Sequence, residues 1–152
     1  MRRVALFLAT LGGVGYLPLA PGTWGSLAAL PLWWVLRHLG ATGYLLAWLG
    51  VFLVSLWAAG SAWTILGKTD HPAIVLDEAV GMLVALAGAP PRWQWVFLGF
   101  VLFRAFDILK PFPIKYLEGL PGGLGVVMDD VAAGVMAWVV LRVALWLSGG
   151  AG

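Results

Sequence analysis

Asp77 and Glu78, then Arg104, Asp107 and Lys110, then Asp129 and Asp130 are the residues of this chain equipped for chemistry, and they interrupt or border apolar runs. The sequence has seven acidic residues, all between Asp70 and Asp130. A carboxylate at the centre of a bilayer helix costs about 2.5–3.5 kcal/mol on insertion scales, so it persists where it faces protein, water or a cation. A shared metal site accounts for the whole set at once.

Asp77 and Glu78 stand about a turn into IVLDEAVGMLVAL. Neighbours on a helix lie roughly 100° apart and can border one inward face. Gly81 follows Asp77 at i+4 and leaves room for a second helix. On a soluble helix the same pair would be ordinary N-terminal acids favoured by the macrodipole. Arg104, Asp107 and Lys110 are spaced i, i+3 and i+6, with Pro111 closing the helix. They read either as an internally neutralised ion pair or as a metal-binding Asp107 beside cations for an anion; the arginine fork matches phosphate oxygens. Asp129-Asp130 is the strongest local signal. Adjacent carboxylates repel unless a cation or a proton intervenes, and Ala132, Ala133 and Gly134 permit tight packing after them.

The candidate ligands are all oxygens, since the chain has no cysteine and two histidines. That favours a hard divalent ion, Mg²⁺ first and Mn²⁺ second, over zinc. It also excludes disulfides and cysteine-nucleophile phosphatase chemistry. Carboxylates holding Mg²⁺ beside basic groups suit phosphoryl transfer. The turn Ala20-Pro21-Gly22-Thr23-Trp24-Gly25-Ser26 offers backbone N–H groups at a helix start, with the Thr23 and Ser26 hydroxyls, as an anion cradle. The same residues are common at helix starts of no function, and Gly122–Gly125 is equally open to both readings. His71, beside Asp70, is a candidate general acid/base or simply an exposed loop histidine. His38 falls at the opposite end and reads as interfacial.

The elements that must position these groups are membrane helices. Of 152 residues, 62% are hydrophobic and 11% charged, with a mean hydropathy of +0.96; soluble domains carry about 25% charge. The expected fold is all-α: a single-domain (residues 1–152) polytopic bundle of about five transmembrane segments plus an N-terminal interfacial or re-entrant helix. The net charge of +2 reflects scarce acids. No clustered basic face suggests nucleic acid. Arg2-Arg3 before an apolar stretch has the look of a signal peptide, but no polar mature domain follows. Ten tryptophans include Trp24, Trp93, Trp95 and Trp146 near predicted helix ends, as at membrane interfaces.

The segments run Trp24–His38, Tyr44–Leu66, Ile74–Gly88, Trp93–Leu109 and Gly122–Leu147. The first and third are short against the roughly 17–25 residues that span a bilayer. Val4–Leu17, with Gly12, Gly13 and Gly15, is expected to stop short of spanning. With the amino terminus inside, Arg2, Arg3, Lys68, Lys110 and Lys115 lie on the cytoplasmic side, and Arg37 and Arg92 opposite, as the positive-inside rule prefers. The helix-borne acids then converge at cytoplasmic depth. A small cation or proton transporter, the rival reading, would place ionisable groups at several depths. A third reading, a membrane assembly protein with internally paired charges, leaves the carboxylates dispensable.

Four ordered blocks, PGTWGSLAALP at 21–31, DHPAIVLDEAVGM at 70–82, FRAFDILKPFPI at 103–114 and GGLGVVMDDVAAG at 122–134, make the chain resemble the phosphatidylglycerophosphatase A family from Gly12 to Gly134. Its amino terminus is shorter than the family's. The resemblance implies Mg²⁺-dependent hydrolysis of phosphatidylglycerol phosphate to phosphatidylglycerol and phosphate in a bacterial inner membrane. It maps acidic site positions to Asp77, Glu78, Asp107, Asp129 and Asp130, and basic ones to Arg104 and Lys110. The nucleophile stays open between metal-activated water and an aspartate, Asp129 or Asp130.

Overall fold

The computed structural model describes residues 2–65 and 71–149, so Lys68 and Asp70 lie outside the described residues. Every regular element in the described residues is helical. Helix α1 (Arg2–Ala9) ends where Leu11, Gly12 and Gly13 take positive φ of 48°, 68° and 101°. At 1.5 Å per residue its length is about 12 Å. A 3-10 turn at Val14–Tyr16 leads to α2 (Pro21–Leu36), which opens on Pro21, where a missing N–H costs a helix nothing. A second such turn, Arg37–Leu39, joins it to α3 (Gly40–Ile65). The remaining helices are α4 (Leu76–Ala85), α5 (Trp93–Leu109), α6 (Ile114–Glu118) and α7 (Gly123–Leu147).

Side-chain contacts fix the directions. Gly22 meets Glu78, and the Trp33 indole N–H donates to the Leu86 carbonyl at 2.8 Å, so α2 runs parallel to α4. Tyr44 and Trp48 bond Leu83 and Val80 in reversed order, so α3 runs back. Gly81 lies on Asp130 and Arg142 donates to the Ala87 carbonyl, which makes α7 parallel to α4. Helix α5 is antiparallel to both, with Gly99 against Leu86 and Leu141, and Phe103 against Gly81.

Helix α4 is the innermost. Leu76, Asp77, Val80, Gly81, Met82, Leu83 and Ala85 are all buried. The carbonyls of a helix's last turn lack in-helix donors, and in α4 Leu83, Ala85 and, just past the helix, Leu86 are buried among other helices. Neighbouring helices supply donors instead: Tyr44 to Leu83, Trp33 to Leu86, and both Trp138 (3.0 Å) and Arg142 (2.6 Å) to Ala87. Tyr44→Phe deletes one of these bonds with little change of shape. It is expected to lower stability by about 1 kcal/mol, read as a lower unfolding midpoint in detergent.

Among the described residues two helical stretches are long and apolar enough to cross a membrane, Pro21–Ile65 and Gly123–Leu147. The expected segment Trp93–Leu109 coincides with α5. The third segment is shorter than its apolar run, because residues 74–75 are not helical and Val75 donates its N–H to the Ala9 carbonyl at 2.9 Å. The Lys110–Gly123 connection contains α6, which the sequence pattern did not announce.

Candidate active site

A β-carbon on Gly81 would strike the Asp130 carbonyl and the Phe103 ring, and one on Gly134 would strike the Gly81 carbonyl. The backbones of α4 and α7 therefore touch. Asp77 lies four residues before Gly81 and Asp130 four before Gly134, so each acid sits one turn along the face that carries its glycine. The seam brings them together. Asp77, Glu78 and Asp130 each offer a carboxylate oxygen within 4.8 Å of the others. Asp77 and Asp130 are each 4% exposed.

Local bonds orient these groups. The Glu78 N–H donates to Asp77 Oδ1 at 3.1 Å, and the Asp130 N–H to Asp129 Oδ1 at 2.9 Å. Glu78 Oε2 and Asp130 Oδ1 are buried with no hydrogen-bond partner. Buried oxygens of this kind carry a desolvation cost unless something positive meets them. A donor set of clustered carboxylates fits a hard divalent cation. The acids open into a cavity of about 170 Å³, which Asp107, Lys110, Asp129 and His71 also line, with Pro72, Ile74 and Val126 as its apolar wall.

Basic groups flank the acids. Arg104 pairs with Asp107 through Nη1 and Oδ2, while its Nε is buried and unpartnered. A β-carbon on Gly22 would collide with Glu78 Oε1 and lie 2.9 Å from Arg104 Nη1. The first turn of α2 thus rests directly on Glu78 and Arg104, and a side chain at position 22 would push their ends aside. Lys110 stands at the end of α5 with φ of 43° and bonds Glu118 Oε1 at 2.7 Å and Asp129 Oδ2 at 2.8 Å. Burial alone would lower its pKa, but the bonds to Asp129 and Glu118 hold the ammonium above the ordinary lysine range. His71 Nδ1 accepts the Ala73 N–H at 3.2 Å, so the neutral ring carries its proton on Nε2.

Of the residues singled out from sequence, Asp77, Glu78, Asp107, Lys110, Asp129, Asp130 and His71 share the cavity, and Arg104 and Gly22 adjoin it. Thr23 and Ser26 are not among the lining residues. The Ser26 hydroxyl, fully buried, donates to the Gly22 carbonyl at 2.8 Å, and Thr23 is half-buried on the same turn. Glu118 was missed. It lies outside the apolar runs, and its only signal was being the one acid in the connection that begins at Lys110.

The family model described as phosphatidylglycerophosphatase A matches residues 7–145. A phosphatidylglycerophosphatase A of Haemophilus influenzae is 43% identical over 137 residues, covering 88% of this chain and 84% of that protein. The Escherichia coli protein of the same name is 38% identical over 136 residues, covering 88% and 79%. The chain belongs to the phosphatidylglycerophosphatase A family. A Bacteroides thetaiotaomicron relative, provisionally named a phosphatidylinositol-3-phosphatase, is 39% identical over 161 aligned positions, covering 98% of this chain and all of that one. No solved structure matches. Within the family frame, the four sequence blocks form the start of α2, the start of α4, the end of α5 and the start of α7. These are the places where the cavity is built.

Proposed function

We propose that the chain is a Mg²⁺-dependent lipid phosphomonoesterase that hydrolyses phosphatidylglycerol phosphate to phosphatidylglycerol and phosphate at the cytoplasmic face of a bacterial inner membrane. The observation that carries this is the convergence of Asp77, Glu78 and Asp130 within 4.8 Å, beside Arg104 and Lys110. Asp77, Glu78 and Asp130 would hold the ion, with Asp107 next to them. When bound, Mg²⁺ neutralises phosphate charge and makes water a competent nucleophile near neutral pH. Arg104, with the Gly22 turn, and Lys110 receive the phosphate oxygens. Asp129 takes the proton of the attacking water. The proton taken up by Asp129 passes to the glycerol oxygen as the phosphorus–oxygen bond breaks, and His71, with its proton on Nε2, donates a hydrogen bond to that oxygen.

The membrane reading treats the chain as one domain. Helices α2, α3, α4, α5 and α7 alternate in direction and serve as the five segments, with α1 at the interface. Their outward faces are apolar: Leu45, Leu46 and Leu53 on α3, Phe97 and Val101 on α5, and Val139, Val143 and Trp146 on α7 are exposed. That is the surface of a protein solvated by lipid. Lipid substrate then enters sideways between helices, and only its headgroup needs the small polar cavity. A carboxylate-lined transporter is disfavoured, because the cavity acids crowd one end of α4, α5 and α7.

Purified protein with Mg²⁺ is expected to release phosphate from phosphatidylglycerol phosphate. Excess EDTA should lower the rate by at least about 100-fold, with recovery on adding Mg²⁺ and partial recovery with Mn²⁺. Full turnover in EDTA would refute the metal assignment. The Bacteroides relative's name favours a second substrate, phosphatidylinositol 3-phosphate, which presents the same phosphomonoester on a different polyol. Comparing kcat/KM on the two lipids decides between them, and phosphatidylglycerol phosphate is expected to win by at least about tenfold.

A further inference from the structure

A cavity of about 700 Å³ lies away from the acids, between the 3-10 turn after α2, the first turns of α3, the end of α4 and the far half of α7. Its walls are apolar, with Leu45 and Trp48 facing Val131, Val135 and Trp138. From Val131 to Arg142 the groove follows α7 for about 16 Å at 1.5 Å per residue, close to the roughly 15 Å depth of one leaflet's hydrocarbon.

Two arginines line this groove, Arg37 and Arg142. Among the described residues the ion pairs belong to Arg104 and Lys110, so neither groove arginine is neutralised by a carboxylate. Both are held in place. The Arg142 guanidinium lies 5.4 Å from the Trp138 ring centre and donates to the Ala87 carbonyl. Gly88, at φ +64°, leaves the space its Nη2 occupies. Arg37 stacks 5.6 Å from Trp33 and 5.0 Å from Trp34. A preorganised guanidinium pair above an apolar trough matches an anionic amphiphile.

We propose that this groove binds one anionic phospholipid of the leaflet opposite the acidic cavity, its acyl chain against α3 and α7 and its phosphate on Arg37 and Arg142. The proposal rests on the membrane reading above but not on the phosphatase activity. A zwitterionic lipid offers the same phosphate with a cation that the arginines repel, so charge selects among headgroups.

Native mass spectrometry of the full chain, delipidated in detergent and titrated with phosphatidylglycerol or phosphatidylcholine, tests it. The wild type is expected to retain one phosphatidylglycerol per chain, at least about tenfold more tightly than phosphatidylcholine. The double variant Arg37→Gln/Arg142→Gln should lose at least about tenfold in that affinity. Equal retention of the two lipids, or undiminished retention by the variant, overturns the proposal. If the double variant does not fold, Val135→Trp decides: it fills the groove from a position 46% exposed and keeps both arginines. Unchanged phosphatidylglycerol retention in Val135→Trp overturns the proposal, and its loss with helicity intact supports it. Phosphate release from phosphatidylglycerol phosphate, measured on the same protein preparations, separates the two ideas, because a chain that retains the lipid but hydrolyses nothing refutes the proposed activity alone.

Discussion

Asp130→Asn is expected to lower Mg²⁺-dependent phosphate release by at least about two orders of magnitude while leaving the chain folded. Asp130 is the acid contributed by α7 to the oxygen cluster, and its Oδ1 is buried without a partner. Asparagine keeps the volume and removes the charge. Like charges within 4.8 Å destabilise one another when no cation lies between them. In chelator the variant should therefore unfold at the same or a higher temperature than the wild type. In Mg²⁺ the order should reverse, because only the wild type gains stability from a bound ion. Thermal unfolding in detergent with and without Mg²⁺, beside phosphate release, reads both effects. Near-normal turnover in Asp130→Asn removes it from the ion's ligands, and a destabilised variant in chelator removes the repulsion account. Asp77→Asn and Asp107→Asn are expected to lose activity on the same scale. Asp107→Asn should in addition free Arg104, the partner it holds.

The acids were legible in the sequence because charge inside an apolar run is costly wherever it occurs, so its persistence signals a partner. The glycine spacing added that α4 and α7 could approach, and the cavity lies at that seam. Other features were hidden for definite reasons. The run from Ile74 to Gly88 is apolar apart from Asp77 and Glu78, yet hydropathy reports burial and not helicity; its first two residues are not helical, and Val75 bonds the Ala9 carbonyl of α1. Helix α6 has five residues, too few to display a 3.6-residue period. A serine near a helix start can aim its hydroxyl at a ligand or back at the i−4 carbonyl, and Ser26 does the latter. Glu118 lies in a short connection, outside the long apolar runs that marked the other acids. The arginine-rimmed groove is assembled from positions distant in sequence, with no motif joining them.

Gly81→Ala is expected to damage catalysis more than stability. The added methyl meets the Asp130 carbonyl, which belongs to the α7 backbone, and the fully buried Phe103 ring. Neither is the free end of a flexible chain, so the helices must part. Overpacking of this kind costs about 1–3 kcal/mol. The shift acts at the residue that sets how far Asp77 and Glu78 stand from Asp130, and ligand oxygens tolerate displacements of only a few tenths of an ångström. Apparent Mg²⁺ affinity should fall by at least about tenfold, with phosphate release at saturating Mg²⁺ also reduced. Gly134→Ala presses the same seam from the other side, since its methyl meets the Gly81 carbonyl. Once either alanine has parted the helices, the second has less to displace. The double variant should therefore lose less stability than the sum of the singles, by a coupling of about 0.5 kcal/mol or more. Additive losses, or an unchanged Mg²⁺ titration in either single variant, would show that the helix seam does not set the spacing of the carboxylates.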